Sequence, residues 1–158
     1  MSPHPASNDS TVTATERRAR ITDDIAARTG IDDVMIEELV RTFYARTADD
    51  PVLGPIFEER IADWESHIAK MCDFWSSVAL LTGRYHGTPM AAHVPMPLGR
   101  EQFGRWLVIF AEVARDVCPP PAAAHFLERA DRIANSLELG IAASRGEIIA
   151  PNPPTASH

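Results

Sequence analysis

The stretch Trp64-Glu65-Ser66-His67-Ile68-Ala69-Lys70-Met71-Cys72-Asp73-Phe74-Trp75 decides how the rest of the chain is read. Trp64, His67, Ile68, Met71, Phe74 and Trp75, followed by Val78, recur at helical spacing and share one face. The pattern predicts a helix over 61–81, broken by Gly83 and Gly87. On that otherwise apolar face His67 has lost water on most sides and needs a partner.

Working outward, the same periodicity returns on both sides. Upstream, Asp32 or Asp33 caps a helix whose stripe is Ile36, Leu39, Val40, Phe43 and Tyr44, stopped by Asp49, Asp50 and Pro51. A turn of helix over 52–57 follows. Residues 15–29 suit a short helix ended by Gly30, with only Ile21 and Ile25 strongly apolar. Downstream, Thr88-Pro89 has the form of an N-cap with proline at the first helical position, and Pro95 and Pro97 end that helix just after His93. A long helix over 99–117 turns Phe103, Trp106, Leu107, Phe110, Ala114 and Val117 to one side. Cys118-Pro119-Pro120-Pro121 breaks it, and a last helix over 122–144 carries Phe126, Ala130, Ile133, Leu137 and Ile141. The fold class is all-α. Residues 1–30 read as a partly disordered N-terminal extension, 31–145 as the helical domain and 146–158 as a flexible tail.

Composition narrows the function classes. The chain of 158 residues is one domain in size, 45% hydrophobic and 23% charged, as a soluble globular protein is. A net charge of −7 argues against nucleic acid and against an anionic membrane surface, which both need basic patches. No apolar run approaches the roughly 20 residues that span a bilayer. Met1 to Ser10 lacks the charged and apolar blocks of a signal peptide, so the expected location is cytoplasmic. Cys72 and Cys118 are too few for a disulfide framework. The motifs of phosphate loops, zinc proteases and serine hydrolases are absent, as are Cys-x-x-Cys-His and the paired Glu-x-x-His of di-iron bundles.

What remains is histidine and aromatic chemistry. His86 reads as a solvated loop residue and His125 as a surface or capping one. His67 is either a core histidine satisfied by a backbone carbonyl or a group that faces a ligand. His93 is either a residue favoured by a helix C-terminus or a metal ligand held between prolines. The hydroxyl of Tyr44 and the indole N–H of Trp106 each reach a backbone acceptor or donate to something bound. Several inward hydrogen-bond donors among Met and aromatic side chains are what a haem pocket requires.

The residues also carry a resemblance. Phe43-Tyr44, Asp50-Pro51-Val52-Leu53-Gly54-Pro55-Ile56-Phe57, Trp64-Glu65-Ser66-His67, Met71-Cys72-Asp73-Phe74-Trp75, Tyr85-His86-Gly87, His93 and Phe103-Gly104-Arg105-Trp106-Leu107 resemble the truncated haemoglobins of group III in order, identity and spacing. The likeness covers about residues 32–143. It implies a two-over-two helical sandwich around non-covalent haem b, with His93 as the proximal iron ligand. Tyr44, His67 and Trp106 match the distal residues that stabilise a ligand, His67 also gating the pocket. Phe43, Phe57, Ile68, Met71, Trp75, Met96, Phe103 and Leu107 fall where the family packs on the porphyrin, and Tyr85 and Arg100 are assigned to its propionate side. The extension of about 30 residues exceeds what the family core needs, and the three prolines at 119–121 shorten or reorient the last junction.

The function implied is binding of O2, NO, CO or cyanide at the iron for redox detoxification, such as NO dioxygenation or peroxide handling. Any electrons must come from an external donor or reductase, because the chain has no flavin or nicotinamide motif. The alternative is ligand binding without turnover, as a sensor, store or scavenger. A helical interaction domain without cofactor would make Tyr44, His67, His93 and Trp106 incidental. The expected assembly is a monomer or weak dimer.

Overall fold

In a computed structural model the described residues are 13–87 and 98–146, and they form six helices. These are α1 (Ala14–Thr29), α2 (Asp33–Ala48), α3 (Leu53–Arg60), α4 (Trp64–Leu80), α5 (Arg100–Val117) and α6 (Pro120–Ser144). The expected terminal tails fall largely outside the described residues. The short helix expected before Pro95, with His93 and Met96 around its end, lies outside them entirely.

Caps explain most boundaries. Thr13 accepts the Glu16 N–H, Asp32 that of Met35 and Asp63 that of Ser66, each satisfying an orphan donor of a first turn. Because Asp63 caps α4, that helix begins at Trp64 rather than at 61. The short turn expected over 52–57 extends through Arg60 as α3. Gly30 ends α1 with a left-handed backbone, φ 76°. The triple proline does break the chain after α5, but α6 starts inside it, at Pro120, since proline suits the first turn of a helix.

Two helix pairs build the body. The pair α2 and α4 packs on α5 and α6 chiefly through α2 against α5, the two-over-two arrangement. Ile36, Leu39, Val40, Phe43, Ala79, Phe110, Val113 and Phe126 make the centre of the main core, and Leu98, Phe103, Ala134, Leu137 and Ile141 form a second cluster between α5 and α6. Helix α1 lies against α4 and α6 and buries Ile25. Among the described residues no helix is long and apolar enough to cross a membrane.

The end of α4 is tied down from two sides. The Thr22 hydroxyl of α1 donates to the Leu80 carbonyl, and His125 Nε2 of α6 lies 2.8 Å from the Ala79 carbonyl oxygen. These carbonyls are the orphan acceptors of a helix C-terminus, so both contacts satisfy groups the helix cannot. His125 was expected at the surface or as a cap of its own helix. It instead reaches across to α4, because position 125 turns toward that helix end.

The corner between α2 and α3 is equally fixed. The buried Asp50 carboxylate accepts the N–H groups of Val52 and Leu53 at 3.0 and 2.9 Å and pairs with Arg105 of α5. Gly54 is needed there, because a Cβ would stand 2.8 Å from the Ala48 carbonyl oxygen.

Candidate functional site

A cavity of about 290 Å³ opens where the two buried clusters meet. Helix α2 contributes Val40, Phe43 and Tyr44, and α3 contributes Leu53, Ile56 and Phe57. From α4 come His67, Lys70, Met71, Phe74 and Trp75, and from α5 Phe103, Trp106 and Phe110. Ile133, Ala134 and Leu137 of α6 form a further wall, and Arg60, Ile61, Tyr85, Leu98 and Gln102 complete the lining. A concave apolar space with a few convergent polar groups is the common form of a small-molecule site.

Those polar groups are ordered. The Tyr44 hydroxyl lies 2.9 Å from His67 Nε2. Burial pushes the phenol pKa far above its ordinary value, so the hydroxyl keeps its proton and remains a donor. The Tyr44 ring is held edge-on by Phe43, Phe57, Trp64 and His67, with centroids 5.1–5.5 Å apart. Its position is therefore set by packing from three helices.

Trp106 belongs to a stack. Its ring lies parallel to Phe110 at 5.1 Å, and Phe110 lies nearly parallel to Trp75 at 4.8 Å. Phe43 meets Trp106 edge-on at 5.7 Å. Elsewhere on the cavity wall, Tyr85 packs edge-on against Phe74 at 5.2 Å and donates its backbone N–H to the Ser77 hydroxyl. Gly87 is pressed so closely by the Tyr85 hydroxyl that a Cβ there would stand 2.2 Å from it.

Of the residues expected at the site, the structure gathers Phe43, Tyr44, Phe57, His67, Met71, Trp75, Tyr85, Phe103 and Trp106 around the cavity. Ile68 is not in the lining; it is buried in the main core. Leu107 is half-buried and packs against both clusters rather than on the cavity wall. Arg100 opens α5 and lies 3.6 Å from Glu138 of α6, also outside the lining. His93 and Met96 lie outside the described residues.

The lining holds two cations that the sequence reading passed over, Arg60 and Lys70. Lys70 had a signal, since it follows His67 by three residues and so shares its side of the helix. Arg60 had none, because α3 was expected to end before it. Phe74, Ile133 and Leu137 are further wall residues, and they were visible only as members of apolar stripes.

The chain is 33% identical over 113 residues to the protein described as Group 3 truncated hemoglobin ctb of Campylobacter jejuni, covering 68% of this chain and 89% of that one. It is 32% identical over 79 residues to Group 2 truncated hemoglobin YjbI of Bacillus subtilis, covering 49% of this chain and 60% of that one. The crystal structure of group III truncated hemoglobin from Campylobacter jejuni superposes with a TM-score of 0.65 at 33% identity, over 68% of this chain and 89% of that one. No family model matches the chain.

Proposed function

The chain belongs to the group III truncated haemoglobins, and on that premise we propose that it holds haem b non-covalently in the cavity and binds small ligands at the iron. The observation that carries this is the half-buried Tyr44–His67 hydrogen bond inside an aromatic wall. The residues fit the group. Phe43, Phe57, Met71, Trp75 and Phe103 offer flat and flexible apolar surface to a macrocycle, and Arg60 and Lys70 suit its carboxylates better than Arg100 does. His93 is our assignment for the proximal ligand. The sequence has no Cys-x-x-Cys-His for covalent attachment.

When bound, the haem supplies an iron that takes O2, NO, CO or cyanide and exchanges electrons. The chain's own residues do the rest. Tyr44 presents a protonated hydroxyl from a position fixed by four rings. Trp106 adds an indole N–H, and its stack keeps it from turning. His67 shares the Tyr44 hydroxyl and can swing about its χ1, which opens or closes that end of the cavity. Donors fixed in advance in a largely apolar cavity favour a ligand that gathers negative charge. Slow release then favours chemistry on the ligand, such as NO dioxygenation or peroxide reduction with an external electron donor, over transport.

The test is spectroscopic. The purified chain reconstituted with haem is expected to give a ferrous spectrum that shifts on adding CO. His93→Ala is expected to lose haem, or to hold it weakly until imidazole is added. A full complement of haem with an unchanged ferrous spectrum in His93→Ala overturns the ligand assignment. Turnover is tested by mixing the oxygenated protein with NO, which should yield nitrate and ferric protein that an added reductase restores.

A further inference from the structure

Tyr44 is the one phenol of the cavity with a proton acceptor at hydrogen-bond distance, His67 Nε2 at 2.9 Å. It also touches an indole that does not line the cavity. Trp64, the first residue of α4, meets the Tyr44 ring edge-on at 5.5 Å and is itself half-buried, so part of it reaches solvent. Tyrosine and tryptophan are the aromatic side chains that lose an electron under biological conditions, whereas phenylalanine does not. Tyr44 and Trp64 are therefore two oxidisable rings in direct contact, one inside the cavity and the other at the surface.

The other aromatic contacts lead nowhere comparable. The stack of Trp106, Phe110 and Trp75 runs from the half-buried Trp106 on the cavity wall into the core, where Trp75 is 5% exposed and its further neighbour Phe126 is fully buried. Tyr85 also lines the cavity and is half-buried, but among the described residues its ring meets Phe74 and no second oxidisable ring.

The geometry points to Trp64 as an outlet through which one-electron donors too large for the cavity reduce peroxide held within it. The inference rests on the haem cavity proposed above. Reduction of one hydrogen peroxide to two waters takes two electrons and two protons. Each electron comes from a separate outside donor, such as a phenol or a reduced electron-transfer protein. In each of two rounds Tyr44 yields one electron toward the peroxide while its proton passes to His67 Nε2. Trp64 then gives an electron to the oxidised Tyr44 ring, and the proton returns from His67. The outside donor restores Trp64, and protons from solvent complete the waters. Burial of Tyr44 agrees with this sequence, because the phenol is not ionised beforehand and its proton must leave with the electron.

The test uses the full haem-loaded ferric chain with hydrogen peroxide and a nitroso spin trap, followed by peptide mass mapping. Trapped adduct is expected on Trp64 and is lost in Trp64→Phe. Oxidation of ferrous cytochrome c, which cannot enter the cavity, should fall by an order of magnitude or more in Trp64→Phe and recover in Trp64→Tyr. Adduct on Tyr85, Trp75 or Trp106, with equal yield in the wild-type chain and Trp64→Phe, overturns the outlet. The wild-type map stands even where the Phe variant folds poorly. If peroxide leaves the ferric spectrum unchanged while cyanide shifts it, the outlet falls and the ligand cavity stands. If neither shifts it, the cavity reading fails as well.

Discussion

The Tyr44 hydroxyl has a single proton and two claimants for it, His67 and whatever the cavity holds. A hydrogen bond to a charged partner is worth about 1.5–3 kcal/mol, so its removal should speed release roughly ten- to a hundredfold. O2 gathers negative charge when it binds iron and carbon monoxide gathers little. Tyr44→Phe should therefore hasten O2 dissociation in that range, measured by stopped flow, and alter carbon monoxide dissociation much less. Equal acceleration of both would make Tyr44 a wall and not a donor. His67→Ala should speed carbon monoxide rebinding after flash photolysis, because its ring lines the cavity. An unchanged association rate would remove the gate. At this scale the sequence was partly legible. The apolar stripes placed His67 and Tyr44 inside but could not say that they bond to each other, since 23 residues separate them. The role read as one option for His67, a ring nitrogen facing a backbone carbonyl, is filled by His125, whose partner lies 46 residues away. Periodicity reports which way a side chain points and is silent about what meets it there.

Helices were legible where prolines, glycines and caps bound them, and less so where a tertiary partner sets the boundary. The corner from α2 to α3 shows why. Asp50 looked like a helix stop, and it is one, but its carboxylate is fixed by Arg105 from 55 residues away. That partner holds the Asp50 carboxyl below the usual carboxylate range. A depressed carboxyl contributes stability above its unfolded pKa, near 3.9, and the contribution fades as pH falls through the lower folded value. Asp50→Asn should cost about 1–3 kcal/mol near neutral pH, read from urea midpoints. The gap between variant and wild type should narrow below about pH 4; a gap constant with pH would show that the charge is not what matters. Gly54→Ala tests the same corner by shape. Its new methyl meets backbone oxygens of Ala48 and Thr47 at 2.8 and 3.0 Å, which cannot move aside as a side chain can. Destabilisation of about 1–3 kcal/mol is expected.

Across the molecule, α1 is joined to the body without touching the cavity. No residue of α1 is in the lining, yet Ile25 is buried and Thr22 holds the end of α4. Burial of an isoleucine is worth about 1.5–3 kcal/mol and the hydrogen bond about 1, so at 2–4 °C per kcal/mol deletion of residues 1–30 should lower Tm by roughly 5–15 °C. Haem binding by the shortened chain should persist at low temperature. Loss of the ferrous spectrum on deletion, with the fold intact, would show that α1 shapes the cavity after all. The anchoring of α4 has a mechanical side. Its far end is rooted in α1 and α6, while its near end rests on the Asp63 cap, on the contacts of Trp64 and His67 with Tyr44, and on the exposed Arg41–Glu65 pair, with nitrogen–oxygen distances of 3.0 and 2.9 Å. Such a pair is weakened by salt, whereas the bonds at the root are not ionic. The helix is like a beam rooted by neutral bonds at one end and held partly by an ion pair at the other, and His67 is mounted near the salt-sensitive end. Amide exchange should accordingly be graded along its length, fastest in the first turn, and rising ionic strength should steepen the gradient without moving its root.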